Sequence, residues 1–145
     1  MGKNQNNPCT NAEILEVLHT IHICAKHRHF TISMNHNRME NVAFLHEYGL
    51  KSECLIQILS SLTVEDFCYK CKNAKKGFEQ EDLYVFVPKV QLMHEGRKEC
   101  VEIYIKCNFI QVKRRMHLIV ISFHKKRKQV QYAFQKKGDA YETTI

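Results

Sequence analysis

Two apolar runs dominate the second half of the chain. From Val101 to Cys107 the residues alternate strictly, with Val101, Ile103, Ile105 and Cys107 on one side and Glu102, Tyr104 and Lys106 on the other. Period two over seven residues predicts a half-buried strand. The second run, His117 to His124, is almost continuously apolar and rich in β-branched residues, which suits a central strand buried on both faces. The basic segment Gln111–Arg115 lies between them, so an antiparallel hairpin is the simplest connection. Strand parity places Tyr104 and Lys106 on one polar face, and Leu118, Val120, Ser122 and His124 on one face of the second strand. If the two strands pair, Tyr104, Lys106 and His124 converge on one side of the sheet.

The first half carries helical spacing instead. Thr10-Asn11-Ala12-Glu13 has the form of a capping box. It opens a helix to about Ala25, with Ile14, Leu15, Leu18, Ile21 and Ala25 inward. Phe30–Ser33 reads as a short edge strand. A second helix is expected over Asn37–Tyr48, with Met39, Val42, Ala43 and Leu45 inward, stopped at Gly49. A third starts at Ser52 and buries Leu55, Ile56, Leu59 and Leu62, with another cap at Thr63–Asp66. Lys70 to Glu81 is polar and basic and reads as a loop. Leu83–Val87 is a strand that ends at or is pushed to an edge by Pro88, Val90–Met93 extends it, and His94–Lys98 turns. Gln129–Gln135 alternates and reads as a last strand, with Val130, Tyr132 and Phe134 on one face. The expected architecture is a single α+β domain over residues 11–135, with its N-terminal helices packed on one face of a mostly antiparallel sheet. Residues 1–10 and 136–145 read as polar tails.

Charge sharpens this picture. The formal net charge is +7, and Arg97–Ile145 holds twelve Lys or Arg against four Asp or Glu, while residues 1–96 hold ten against eleven. The whole surplus sits on the last strands and their flanks, a one-sided distribution that suits a polyanion such as nucleic acid or simply a solvated face. No run approaches the roughly 20 apolar residues of a membrane span, and the polar start, MGKNQNNPCT, does not have the form of a signal peptide. These features suggest a cytoplasmic protein. Seven Cys, an odd number, fit free thiols in a reducing compartment. Cys68-x-x-Cys71 has no second pair to complete a zinc site. Cys54 and Cys107 read as small core residues. His19, His22, His27 and His29 lie close together without interleaved carboxylates, a pattern of surface rather than metal-ligating histidines.

Tyr48-Gly49-Leu50, the Ile56-Leu59-Leu62 helix, Thr63-x-x-Asp66-Phe67, Leu83-Tyr84, Tyr104-Ile105-Lys106 and Leu118–His124 follow one another in an order and spacing that resembles the MqsR toxins. The resemblance covers roughly residues 37–125. It implies a RelE-like α+β fold, cleavage of mRNA, and restraint by a cognate antitoxin protein in a bacterial toxin–antitoxin pair. The family's functional Tyr and Lys on the Tyr-x-Lys strand match Tyr104 and Lys106. A family Lys matches Lys70 once Cys68 is allowed as an extra residue. A family Gln falls at Glu81 and a family Lys at His124, so those two positions differ.

RNA cleaved through its own 2′-OH needs a base for that hydroxyl, cations for the phosphate charge, and an acid for the leaving 5′-oxygen, with no metal or other cofactor required. His124 can serve as general acid or base, Lys106 as phosphate clamp, and Tyr104 as proton-transfer or base-stacking group. Lys70, Lys125 and Arg127 would hold the RNA backbone, with Arg127 able to grip phosphate in bidentate fashion. Glu81 could assist as a base. Two other classes fit the same residues: a basic module that binds RNA, DNA or a partner without cutting, and a Cys/His metal-binding regulator.

Overall fold

A computed structural model describes residues 8–134 and the backbone of Thr143–Thr144. Helix α1, Asn11–Lys26, begins at the expected capping box: the Glu13 N–H donates to Thr10 Oγ1 at 3.1 Å and the Thr10 N–H to Glu13 Oε1 at 2.9 Å. It buries Ile14, Leu18, Ile21, Cys24 and Ala25. Leu15, expected inward, is 54% exposed, because one residue on from Ile14 it has rotated off the buried stripe. Strand β1, Phe30–Ile32, follows, and a single 3₁₀ turn over His36–Arg38 leads into α2, Met39–Glu47. The expected inward face of α2 is corrected. Asn41 and Phe44 are buried, Met39 is 57% exposed and Ala43 is exposed, and Val42 and Leu45 are half-buried. Helix α3, Ser52–Ser60, buries Leu55, Ile58 and Leu59, and Leu62 is buried just beyond it; Ile58 rather than Ile56 completes the stripe. Thr63 and Asp66 form the predicted cap, on a 3₁₀ turn.

The sheet is larger than the pattern suggested. Strands β2 (Phe67–Lys72), β3 (Asp82–Phe86), β4 (Lys89–His94), β5 (Arg97–Val112), β6 (Arg115–Lys125) and β7 (Thr143–Thr144) join β1. The order is β1-β6-β5-β3-β2, with β4 between β5 and β7. The pairing is antiparallel except for β1 with β6 and β4 with β7. The loop expected from Lys70 therefore begins only at Asn73: Lys70 pairs with Tyr84 and Lys72 with Asp82 inside the β2–β3 ladder. β3 and β4 pair with β5 in one register, Phe86 opposite Ile105 and Lys89 opposite Glu102, so they form one line alongside β5 that is interrupted at Val87–Pro88. Proline has no N–H to give the ladder. The β4–β5 turn, Glu95–Gly96, has φ of 53° and 80°, as a type I′ turn requires.

β5 carries the predicted alternation. Val101, Ile103, Ile105 and Cys107 face the helices and are buried, and Glu102, Tyr104 and Lys106 are half-buried on the other side. β6 departs from expectation. Its register against β5 shifts between Lys106 and Cys107, so that Ser122 opposes Lys106 while Val120 opposes Cys107. This bulge places Leu118 and Val120 in the helix-side core and His124 opposite Tyr104. The four do not share one face. Nor is β6 closed on both sides, since Ile119 and Ile121 line an open groove. The helix-side core runs from Ile14, Ile21 and Phe44 through Leu59 and Phe86 to Ile103, Leu118 and Phe123.

Asn41 fixes the bulge. Its Nδ2 donates to Ile121 O at 2.9 Å and Ser33 O at 2.8 Å, and its Oδ1 accepts the Phe123 N–H at 2.8 Å. The expected last strand is also corrected. Residues 129–134 are not in a strand but cross the sheet as a strap. Tyr132 Oη donates to Val87 O at 2.8 Å, and the Ala133 N–H to Phe67 O at 3.0 Å. Val130 and Tyr132 pack with Cys68, Val85, Val87 and Tyr104, whereas Phe134 reaches the helix-side core. Gln135, the start of the N-terminal tail (residues 1–7) and the tail expected at 136–145 lie outside the described residues, apart from Thr143–Thr144, which pair with β4.

Replacing Asn41 with Ala should destabilise the protein by about 3 kcal/mol or more, at roughly 1–3 kcal/mol for each buried backbone group left without a partner. Urea unfolding of the two proteins measures this. A loss below about 1 kcal/mol would mean that Asn41 is replaceable by water.

Candidate active site on the open face of the sheet

The hairpin makes the central juxtaposition. Tyr104 and His124 are direct cross-strand partners, with ring centroids 5.6 Å apart and planes inclined by 21°. Lys106 is two residues along β5 on the same side, opposite Ser122. The His124 Nδ1–H donates to the Lys125 carbonyl oxygen at 2.9 Å. That bond fixes the neutral tautomer and leaves Nε2 as the nitrogen that can take or give a proton.

Tyr104 is held at both ends. Its hydroxyl shares a 2.8 Å hydrogen bond with Tyr69 Oη, and its ring packs against the buried cluster of Cys68, Val85 and Val87. Burial, then the Tyr69 hydrogen bond, pushes its pKa far above the usual phenol value. Tyr69 is raised as well, first by burial. Tyr104 is therefore a neutral hydrogen-bonding and stacking surface at physiological pH.

Beside Lys106 a groove of about 410 Å³ opens between the sheet and the loop 73–81. Ile110, Ile119 and Ile121 line it together with Arg38, Lys72, Lys75, Lys106 and Phe78. Lys72 is paired with Asp82 at 2.8 Å and Lys75 lies 5.0 Å above the Phe78 ring. Among the described residues, neither Lys106 nor Arg38 is in an ion pair. Glu81 Oε1 accepts from Asn73 Nδ2 and Asn108 Nδ2, each at 3.0 Å, so this carboxylate latches the loop to β5. Cys71, at the groove floor, has its thiol pKa raised by burial, against the lowering pull of Lys106. It stays protonated and unreactive.

Tyr104, Lys106, His124 and Glu81 thus gather on the open face. Lys70, Lys125 and Arg127 do not. Lys70 lies on the helix side of β2, where its charge acts on Cys9 and Glu13 near the start of α1. One step along a strand turns a side chain to the opposite face, and Tyr69 and Cys71 take the open one. Lys125 points to the helix side too, with Nζ 3.5 Å from Glu47, 3.9 Å from Glu99 and 5.1 Å above the Tyr48 ring. Arg127 pairs with Glu40 of α2. The cations that do line the groove, Arg38, Lys72 and Lys75, were missed. Lys72 reaches the groove's edge from the last position of β2, where strand parity alone would give it Lys70's face, and Arg38 arrives from a distant turn with no local signal. The Cys residues are free thiols, with Cys68, Cys71 and Cys107 buried and Cys54 half-buried rather than in the core. Among the described residues no three His, Cys, Asp or Glu side chains are grouped so as to hold a metal ion, and no helix is long and apolar enough to cross a membrane.

No protein-family model, curated protein or solved structure matches the chain. Fold and site define it as an α+β protein whose helices cover one face of an antiparallel-dominated sheet and whose other face carries a Tyr–His pair beside a cation-lined groove.

Burial also raises Tyr84, to about 12, and Tyr48 upward from its ordinary 10.0. In the folded protein these phenols hold their protons longer than in the unfolded chain. Stability should be level with respect to them below pH 10, where both states are protonated, and fall between about pH 10 and 12 as the unfolded state ionises first. Tyrosinate absorbance followed against pH, in native and urea-unfolded protein, checks this. Coincident titrations would contradict it.

Proposed function

We propose that this protein is a metal-independent endoribonuclease that cleaves mRNA by attack of the RNA's own 2′-OH, and that it acts as the toxin of a bacterial toxin–antitoxin pair, as the resemblance to the MqsR family and its RelE-like fold implies. The observation that carries the reading is the cross-strand Tyr104–His124 stack with Lys106 on the same open face. In this scheme His124 Nε2 moves the proton, either from the 2′-OH or to the leaving 5′-oxygen. Lys106 neutralises the charge that grows on the phosphoryl oxygens. Tyr104 offers a flat neutral surface on which a base can stack. Arg38, Lys72 and Lys75 take the place first given to Lys70, Lys125 and Arg127 in holding the RNA backbone. Glu81 is a latch rather than a base, since its carboxylate is occupied by two amides. A cytoplasmic location and an antitoxin partner belong to the same reading.

A non-catalytic RNA-binding module is the second reading. The observation in its favour is that the groove, with four cations and Phe78 on its wall, can hold a strand without Tyr104 or His124.

Purified protein incubated in EDTA with a defined single-stranded RNA should give discrete fragments ending in 2′,3′-cyclic phosphate or 3′-phosphate. His124→Ala should slow cleavage by about a hundredfold or more, the usual worth of a general acid–base group, and Lys106→Ala should also cut the rate severely, both with unchanged thermal melting. Tight binding with the RNA left whole would establish the second reading instead.

A further inference from the structure

From Phe109 to His117 the β5–β6 hairpin leaves the body of the sheet. β3 pairs with β5 only over Ile105–Cys107, and β1 with β6 only over Leu118–Val120, so beyond them each strand's ladder partner is the other. Ile110 through Met116 are exposed without interruption although they lie in a regular hairpin. A bare two-stranded ribbon is marginal in water, and this one also leaves Ile110, Val112 and Met116 more than a third exposed. Its tip reads Lys113-Arg114-Arg115, and no Asp or Glu occurs between Phe109 and Phe123. Among the described residues none of the three cations is in an ion pair. Lys113 holds φ of 57°, a conformation that Gly or Asn adopts more readily. The ribbon is joined to the groove through Ile110, which lines it, on the strand that also carries Lys106.

We propose that this ribbon is an arm that grips the phosphate backbone of single-stranded RNA outside the groove, with Lys113, Arg114 and Arg115 each neutralising a phosphate. The proposal rests on the proposed function for its ligand class, but not on cleavage. Charge complementarity argues for RNA: the arm's cations sit at the tip of the same hairpin that carries Lys106, and Lys106 lines a groove with Arg38, Lys72 and Lys75 on its wall. An anionic membrane surface is the rival occupant for a tip that is both basic and apolar.

The test uses the full chain and a 20-nucleotide single-stranded RNA, 2′-O-methylated so that it cannot be cut, with binding read by fluorescence anisotropy at several salt concentrations. The variant Lys113→Asn, Arg114→Gln, Arg115→Gln keeps a residue suited to positive φ at the turn. Its slope of log K against log salt should be shallower than wild type by about 2, at roughly 0.7 for each phosphate that is no longer neutralised. The charge-preserving variant Lys113→Arg, Arg114→Lys, Arg115→Lys should keep the wild-type slope. An unchanged slope overturns the arm. So does loss, in the neutralised variant, of binding to phosphatidylglycerol vesicles with RNA binding intact. The expected slope change in a protein that never cuts unmethylated RNA supports the arm and removes the nuclease.

Discussion

One side-chain amide closes the edge of this sheet. β1 is only three residues long, and its parallel ladder with β6 ends where the Ser33 N–H meets Val120 O at 2.9 Å. Beyond that point Ile121 O and the Phe123 N–H would be bare at a buried edge. Asn41 supplies the missing partners, acting as a substitute strand residue delivered from α2. An unpaired buried peptide group costs about as much as the hydrogen bond it would otherwise make. The bulge in β6 can therefore exist only where such a partner reaches it. Phe44, one turn on from Asn41, packs against Phe123 at 5.9 Å, so the same helix that satisfies the bulge also seals the core beneath it.

That bulge decides which face each side chain of β6 takes. Without it, His124 would share parity with Leu118 and Val120 and would belong to the helix-side core. With it, Val120 stays in the core, His124 stacks on Tyr104, and Ile119 and Ile121 are left to line the groove. The strap of residues 130–134 closes only part of the open face, around Tyr104, Val85 and Val87. The remainder stays open because the loop 73–81, held by the Glu81 latch, stands beside it rather than over it. The result is an asymmetric sheet, with one face filled by apolar packing and the other keeping a half-buried aromatic pair next to long cationic side chains.

Much of the candidate site was legible in the sequence. The alternation over Val101–Cys107 gave the faces of β5 correctly, and the hairpin brought Tyr104, Lys106 and His124 together as expected. His124 stands opposite Tyr104 although the parity behind that expectation failed, because the bulge turns it away from the face of Leu118 and Val120. Lys70, Lys125 and Arg127 show the opposite case. Lys70 and Lys125 adjoin open-face residues, Tyr69 and Cys71 in one case and His124 in the other, but neighbouring strand positions face opposite ways and Glu13, Glu47 and Glu99 stand on the helix side, while Arg127, beyond the end of β6, pairs with Glu40. Arg38 joins the groove from a turn nearly seventy positions before Lys106, a proximity that no local pattern carries.

Caps, strand periods and turn residues are short-range properties, and the chain wrote them plainly: the Thr10–Glu13 box, the Thr63–Asp66 cap, the alternation of β5 and the turn at Glu95–Gly96. These set the α+β class with little help from long-range contacts. Long-range hydrogen bonding and packing set the remainder. The inward position of Asn41 contradicts hydrophobic patterning and makes sense only with the bulge in place. β2 is too charged to read as a strand until β3 pairs with it, and the final alternating segment is a strap because β5 is already flanked on both sides. Polar groups and edge strands take their structure from partners distant in the chain, so the open face, and with it the chemistry proposed for this protein, was decided by the tertiary fold.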